Sequence, residues 1–280
     1  METNQVNKIN TDEFGRTNGV FAYNKPAGVS SHDIVYKFRR HFGTKKVGHA
    51  GTLDPFASGL LIILVGKATK LSDTFLNKDK EYKARILLGV ETTSGDPEGD
   101  IVDAISKPVN LDIDSVKKTL TKFVPEYVQS VPLFSSVKIG GKKLRELARH
   151  YASFKQTKKD EQTEVEFFNN EGVSQKKLIL PSKLVKIYSL ELLATGVVKS
   201  EELINIFNNV FGHKQVKLTQ DNFSLPEYSY IDIKVSVSKG TYIRQLAIDI
   251  GKSLGIPSTL IALERTKVGE LSVEDSYPID

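Results

Sequence analysis

The sequence predicts an α+β fold. Three observations carry this. Residues 231–237 alternate, with Ile231, Ile233, Val235 and Val237 on one side and Asp232, Lys234 and Ser236 on the other, the period of a strand buried on one face. Ser238-Lys239-Gly240 then turns into a segment where Ile243, Leu246, Ala247, Ile250 and Leu254 recur at helical spacing, with Gly255 in the capping position and Pro257 beyond it. Far upstream, Leu60-Leu61-Ile62-Ile63-Leu64-Val65 reads as a buried strand that leaves a glycine-rich stretch. Strands with helices interspersed, and hairpin-like neighbours, indicate α+β.

In chain order, residues 1–18 are polar and are expected to form a loose, flexible tail before a single domain over 19–280. Residues 19–24 suit a strand, stopped by the turn signal Lys25-Pro26-Ala27-Gly28. Ser30 or Ser31 caps the next helix. Its Ile34, Val35, Phe38 and Phe42 share a face, while Lys37, Arg39, Arg40 and His41 lie mostly off it. With Lys45 and Lys46 these cations form a basic cluster, either a solvated face or a phosphate contact. Residues 67–77 suit a short helix. In 81–88, Tyr82, Ala84, Ile86 and Leu88 point one way and Lys83 and Arg85 the other, which is again a strand.

Residues 89–103 form a turn-rich acidic loop with Asp96, Glu98, Asp100 and Asp103. The spacing lacks the ligand pattern of a calcium-binding EF-hand, so a solvated loop is expected. A surface helix follows at 112–124. Residues 131–143 mix aromatic, hydroxyl, glycine and lysine side chains, and 144–151 suit a helix bearing Arg145 and Arg149. Residues 152–180 are lysine-rich with few apolar anchors and are expected to be a mobile insertion. A strand at 183–191, a small amphipathic helix at 200–210 and a polar connection at 211–228 come next, so that 195–228 reads as a second insertion. Residues 260–264 are expected to form a short helix and 268–273 a last strand.

The 280 residues suit one large domain, and 39% hydrophobic residues suffice for a core. The net charge of +5, from 39 basic and 34 acidic residues, favours a polyanionic partner only weakly. The absence of cysteine excludes disulfides, thiolate zinc sites and cysteine nucleophiles. The five histidines show no metal-ligand spacing. No apolar run approaches the ~20 residues of a membrane span. The N-terminus lacks the basic and apolar regions of a signal peptide, so a cytoplasmic, monomeric protein without membrane contact is expected.

Three residues stand out chemically. Asp54 is the only acid of the stretch 45–59, which holds three glycines and leads into the buried strand. Tyr82 interrupts an otherwise aliphatic strand face. Arg244 stands in the first turn of a helix, where the dipole disfavours a cation, so a compensating anion is expected and Asp54 is one candidate. The same residues also fit a turn-capping aspartate, a core tyrosine and a surface arginine.

The stretch Gly48-His49-Ala50-Gly51-Thr52-Leu53-Asp54-Pro55-Phe56-Ala57-Ser58-Gly59-Leu60-Leu61 closely resembles the signature of the TruB family of pseudouridine synthases. Further matching blocks follow in the family's order. They include Asn24-Lys25-Pro26-Ala27-Gly28, Lys80-Glu81-Tyr82-Lys83, Ser94-Gly95-Asp96-Pro97-Glu98-Gly99, Lys239-Gly240-Thr241-Tyr242-Ile243-Arg244 and Leu263-Glu264-Arg265-Thr266. The resemblance implies a mixed, mainly antiparallel central sheet flanked by helices. It implies isomerisation of uridine 55 in the T loop of tRNA, with tRNA as partner and neither cofactor nor metal. Asp54 would be the catalytic aspartate, acting on the ribose by attack at C1′ or by proton removal. Tyr82 would stack on the target base, Tyr242 would be a second active-site tyrosine, and Arg244 would pair with the aspartate.

Leu263 would pack at the site, and His49 would contact the RNA and help hold its loop. Lys25, Arg39, Arg40, Lys142 and Arg149 are expected to bind substrate, and the loop glycines to admit the backbone of a flipped nucleotide. The pattern departs from the family at Arg145, where a tyrosine is usual, and at Tyr151, where a glycine is usual. Many members carry a C-terminal PUA domain. Only residues 274–280 follow the last matching block, so none is expected here. Other readings are a non-catalytic RNA-binding module or tRNA chaperone, and a guide-RNA-dependent synthase.

Overall fold

A single twisted sheet of ten strands carries the molecule, and one helix-packed face of it holds most of the core. The computed structural model describes residues 6–13, 15–159, 162–209 and 218–279. The chain runs through β1 (Asn10–Thr11), β2 (Thr17–Lys25), α1 (Ser31–His41), β3 (Val47–Ala50), β4 (Ser58–Val65), α2 (Ser72–Leu76) and β5 (Lys80–Leu88). It continues with β6 (Val90–Thr92), β7 (Ile101–Ala104), α3 (Ile113–Thr121) and β8 (Glu126–Ser130). A lobe follows, made of β9 (Lys138–Ile139), β10 (Lys142–Lys143), α4 (Leu144–His150), β11 (Ser153–Lys159), β12 (Gln162–Phe168) and β13 (Ser174–Leu180). The chain returns to the main sheet through β14 (Ser182–Lys199), α5 (Ser200–Asn208), β15 (Glu227–Val237), α6 (Ile243–Leu254), β16 (Ser258–Val268) and β17 (Leu271–Ser272).

The main sheet has the order β1-β2-β4-β16-β5-β15-β14-β8, with β3 on β4 and β17 on β16. Only β4 and β16 run parallel among its paired strands; the others are antiparallel. The mixed, mainly antiparallel sheet expected from the sequence is therefore present. Its register explains how distant residues meet. Arg265 lies beside Gly59 on one side and Tyr82 on the other, and Tyr82 lies beside Val235. Four separate stretches thus end at one edge of the core: the 51–57 loop before β4, the start of β5, the middle of β16, and the β15–α6 turn.

Burial follows the sequence periodicities. Ile34, Val35 and Phe38 of α1, Val116 and Leu120 of α3, and Leu246, Ala247 and Ile250 of α6 pack on one face of the sheet. Ser30 caps α1 reciprocally: its Oγ accepts from the Asp33 N–H at 3.2 Å, and the Asp33 carboxylate accepts from the Ser30 N–H at 2.9 Å. Such a cap contributes about 1 kcal/mol. Gly255 ends α6 in the left-handed region at φ +74°, the cap its position predicts.

Four expectations need revision. Residues 260–264 belong to strand β16 rather than a helix, because a run buried on both faces has no period that separates the two. Residues 152–180, expected as a mobile insertion, form the antiparallel meander β11-β12-β13. Val165, Phe167 and Leu180 are its anchors; they are buried against Leu144 and Leu147 of α4, and surrounding lysines obscured them in the sequence. The acidic loop at 89–103 is not simply solvated, since Ser94 and Asp96 are buried. Within the expected tail, Val6 bridges Val20 and β1 pairs with β2. In the expected insertion at 195–228, β14 extends through Lys199 and α5 follows; residues 210–217 lie outside the described residues. Among the described residues no helix is long and apolar enough to cross a membrane.

Candidate active site

The loop 51–57 is fastened at nearly every residue before any question of chemistry arises. Ser31 Oγ donates to the Leu53 carbonyl and accepts from the Leu53 N–H, both at 2.9 Å. The Gly28 N–H donates to the Pro55 carbonyl at 2.9 Å, and the Ala57 N–H to the Asp54 carbonyl at 3.1 Å. Arg265, only 2% exposed, donates from Nε to the Leu60 carbonyl at 2.7 Å and from Nη2 to the Gly51 carbonyl at 3.0 Å. Gly59 has φ +102°, and a Cβ there would stand 2.4 Å from the Arg265 carbonyl oxygen. That glycine therefore serves the close approach of β16, not the approach of RNA expected from the sequence.

Asp54 projects from this loop into a cavity of about 340 Å³. Tyr82, Tyr242, Arg244, Leu263 and Lys80 share its wall. Arg244 Nε lies 2.9 Å from Asp54 Oδ2, so the expected pair forms across 190 residues of sequence (244 − 54). The guanidinium is almost sealed, with its side chain 7% exposed, while the Asp54 side chain is 36% exposed toward the cavity. Arg244 also donates from Nη1 to the Ser94 carbonyl at 2.8 Å and from Nη2 to the Phe134 carbonyl at 3.1 Å. Its Nη1 lies 3.3 Å from Asp96 Oδ2. Burial alone would lower the arginine's pKa, but Asp54, Asp96 and Glu98 together raise it. A planar donor fork fixed from three sides has little freedom to turn away from Asp54.

Asp96 and Glu98 were read in the sequence only as members of an acidic loop, yet they stand behind the pair. Asp96 Oδ1 accepts from Ser94 Oγ at 2.5 Å and from the Glu98 N–H at 2.9 Å. Burial pushes the Asp96 carboxyl upward, against the Arg244 charge. Glu98 is pushed up to about 7, first by burial and then by the charges of Asp96 and Asp54. Its carboxyl takes a hydrogen bond from the Phe56 backbone, while Oε1 is buried with no partner among the described residues. The sequence offered only an Arg244 in want of an anion, which does not say that more than one acid would gather on it.

Lys25, expected to bind substrate, is corrected: it is 0% exposed and donates to the carbonyls of Pro26, Val29 and Pro55 at 2.9, 2.8 and 3.3 Å. Burial, partly offset by Asp54, lowers it to about 8. It props the loop from beneath and presents nothing to a ligand. Lys80, which does line the cavity, also donates to backbone carbonyls, those of Phe75, Leu76 and Lys78 at and just beyond the end of α2, and burial lowers it to about 8. His49 on β3 is half-buried and does not line the cavity; its Nδ1 is buried without a partner among the described residues, and burial lowers its pKa.

Arg39 donates to the Val47 carbonyl at 3.3 Å and stacks 5.2 Å from the Tyr36 ring centroid, whereas Arg40 is exposed. Lys142 and Arg149 are exposed on the lobe, and Arg145, the departure from the family pattern, reaches the cavity wall. The structure therefore gathers Asp54, Tyr82, Tyr242, Arg244 and Leu263 in one pocket and leaves the remaining expected residues outside it.

Residues 39–181 match the TruB family pseudouridylate synthase N-terminal domain. The chain is 37% identical over 263 residues to the tRNA pseudouridine synthase B of Acholeplasma laidlawii, covering 94% of this chain and 74% of that protein. It is 34% identical to that of Staphylococcus saprophyticus over 264 residues, covering 94% and 70%. Among solved structures it resembles a Cbf5-Nop10-Gar1 complex, with TM-score 0.52 and 21% identity over 95% of this chain. It likewise resembles an H/ACA RNP bound to a substrate RNA containing 2′-deoxyuridine, with TM-score 0.51 and 20% identity over 96% of this chain. The chain spans 58% and 56% of those two solved chains, and at such identity the likeness shows the fold. By its matched segment and by its relatives over nearly its whole length, the chain belongs to the TruB family of pseudouridylate synthases.

Proposed function

We propose that this chain isomerises uridine to pseudouridine at position 55 in the T loop of tRNA, with Asp54 as its catalytic residue. The observation that carries the proposal is the Asp54–Arg244 pair, which leaves one carboxylate edge facing the cavity and gives it a fixed counter-charge. The relatives' name, tRNA pseudouridine synthase B, supports the substrate class. In the reaction the N1–C1′ bond breaks, the uracil turns, and a C5–C1′ bond forms. C5 loses its proton and N1 gains one, so the product is an isomer and no external redox partner enters.

Each wall of the pocket has work in that sequence. Asp54 acts on the ribose. Tyr82, held by Ala84 and Ile86 on the same strand face, offers a ring on which the uracil stacks. Leu263 closes the apolar side. Tyr242, which lines the same cavity as Asp54, is assigned as the partner for the C5 proton. Burial raises its pKa, while a hydrogen bond with Ser135 and the Arg244 charge pull it down. A base paired inside RNA cannot enter this cavity, so the target nucleotide is flipped out first. Arg40, Lys142 and Arg149, all exposed, are assigned to the phosphates of the T arm.

The test uses an unmodified tRNA transcript, the purified protein and no guide RNA. Wild type should form pseudouridine at position 55, and Asp54→Asn should lose more than about 10³-fold in rate with tRNA affinity retained. Product formed by Asp54→Asn at a comparable rate would remove Asp54 from its assigned role. Binding without product in the wild type would favour a chaperone.

A further inference from the structure

Tyr242 is held more tightly than its position at a helix start requires. It is the N-cap of α6, and its carbonyl accepts the first helical bond from the Leu246 N–H at 3.0 Å. A second residue grips it from outside the helix. The side-chain amide of Gln129, on β8, accepts from the Tyr242 N–H at 2.8 Å and donates to the Tyr242 carbonyl at 3.0 Å. One side chain thus pairs with both backbone groups of one residue, as a neighbouring strand would. Gln129 is 0% exposed, so these bonds compete with no water.

The amide cannot turn over without loss. Its Nε2 also donates to the Tyr127 hydroxyl. That hydroxyl in turn bonds Asp249 two turns along α6, and Gln245 Nε2 donates to Asp249 Oδ1 at 3.0 Å. A flipped Gln129 would set two donors, Nε2 and the Tyr242 N–H, against each other. A glutamine that is fully satisfied in only one orientation defines a position rather than merely filling a space.

The ring of Tyr242 has its own support. Lys183 on β14 is the direct cross-strand partner of Gln129. Its Nζ sits 4.6 Å from the Tyr242 ring centroid and donates to the Gly240 carbonyl. Two facing residues of one strand pair therefore hold the backbone and the ring of the same tyrosine.

We infer that Gln129 and Lys183 form a clamp, carried by the β8–β14 strand pair, that positions Tyr242 for the step in which the C5 proton leaves. The functional part rests on the proposed isomerisation; the positional part does not. Neither residue lines the cavity that Asp54 faces, so both are positioning residues, and their effect belongs in the rate of the bound complex rather than in binding.

Two measurements test the clamp. Hydrogen exchange at the Tyr242 amide reads the position directly, with or without activity. Gln129→Leu, an apolar replacement that removes both amide groups, should speed exchange there at least tenfold relative to wild type while the amides of β15 stay unchanged. Unaltered protection at Tyr242 would overturn the clamp. Single-turnover release of tritium from [5-³H]uridine in tRNA reads the function. Gln129→Leu and Lys183→Met should each slow release by about tenfold or more with tRNA affinity kept, and Lys183→Arg should restore most of the rate by keeping a cation on the ring.

In a Tyr242→Phe background the same changes should add little further loss, because the hydroxyl they place is gone. Full additivity in that background, or losses confined to affinity, would overturn the assignment. If Gln129→Leu fails to fold, the more peripheral Lys183 pair carries the same test. A wild type that forms no pseudouridine would refute the isomerisation itself, and the exchange experiment would still decide the clamp.

Discussion

The pocket around Asp54 and the lobe over residues 131–181 are both rich in charge, and they handle it in opposite ways. In the pocket one cation, Arg244, faces three carboxylates, and the guanidinium and Asp96 are enclosed while Asp54 is partly open to the cavity. Lys25 and Lys80 are likewise wrapped in backbone carbonyls. In the lobe, Lys138, Lys142, Arg145 and Arg149 stand in solvent. The Lys143–Glu146 and Lys177–Glu166 pairs there are partly exposed. A charge that must keep one atom in place is worth burying, because only a low-dielectric setting makes its partner matter. A charge meant to meet a flexible polyanion serves better solvated, since it then gives up little when the partner leaves. The contrast says which residues should show in stability and which in binding.

The largest effect should come from breaking the buried side. Arg244→Met removes the guanidinium that faces Asp96 and Asp54, and leaves Asp96 sealed beside Glu98 without that counter-charge. The expected cost is about 3–5 kcal/mol in chemical denaturation. Adding Asp96→Asn should recover part of it, since the stranded charge is then gone. The matching change in the lobe, Arg149→Met, should stay within about 0.5 kcal/mol. Equal losses at the two arginines would mean that burial does not separate the regions as argued.

A sharper version uses pH. Glu98 is raised to about 7 by its burial and by Asp96 and Asp54, against Arg244 and Lys25, which favour its charged form. In the unfolded chain it titrates near the ordinary glutamate value. Between those two values the folded state holds more protons than the unfolded state, so this group makes stability fall as pH rises through that window. Above about 7 the full penalty is present; below the ordinary value it vanishes. Glu98→Gln keeps an acceptor for the Phe56 N–H and cannot ionise. It should therefore be more stable than wild type at pH 8, by on the order of 1–3 kcal/mol, and nearly equal to it at pH 4.5. Thermal melts of both proteins across that range check the sign, and a stabilisation that grows toward acid would contradict it.

How much of this could be read from the chain alone follows the same division. The strands around Tyr82 and Ile233 and the helix ending at Gly255 were legible, because period and capping glycine are local signals; the misplaced Arg244 called only for some anion, and it was the family resemblance that named Asp54 as its partner. Asp96 and Glu98 were not. Their burial depends on the Arg244 helix packing over the 89–103 loop, and an acidic loop written as sequence looks the same whether solvated or covered. Lys25 misled for the converse reason: a lysine in a turn signal suggests exposure, yet the Pro55 loop folds over it. The meander at 153–180 was hidden because Val165 and Phe167 alternate correctly but are outnumbered by lysines on the solvent side. Gln129 has no sequence signature at all, since its partner is a backbone.

The smallest effect expected belongs to the lobe, and it tests the solvated half of the contrast. Lys142 follows the Gly140-Gly141 turn of the β9–β10 hairpin, whose glycines have φ +58° and +82°, the backbone a two-residue hairpin turn needs. Arg149 stands in the last turn of α4. Both are exposed, so neither should contribute measurably to folding. If they meet tRNA phosphates as proposed, each contact releases counterions and adds to the salt dependence of binding. Lys142→Glu with Arg149→Glu should weaken tRNA binding about tenfold at low salt and flatten the log–log salt slope by roughly 1.5, while the single-turnover rate at saturating tRNA stays unchanged. A fall in that rate with binding intact would move these residues from grip to chemistry. An unchanged slope would take them off the RNA altogether and leave the lobe's cations as an ordinary solvated surface.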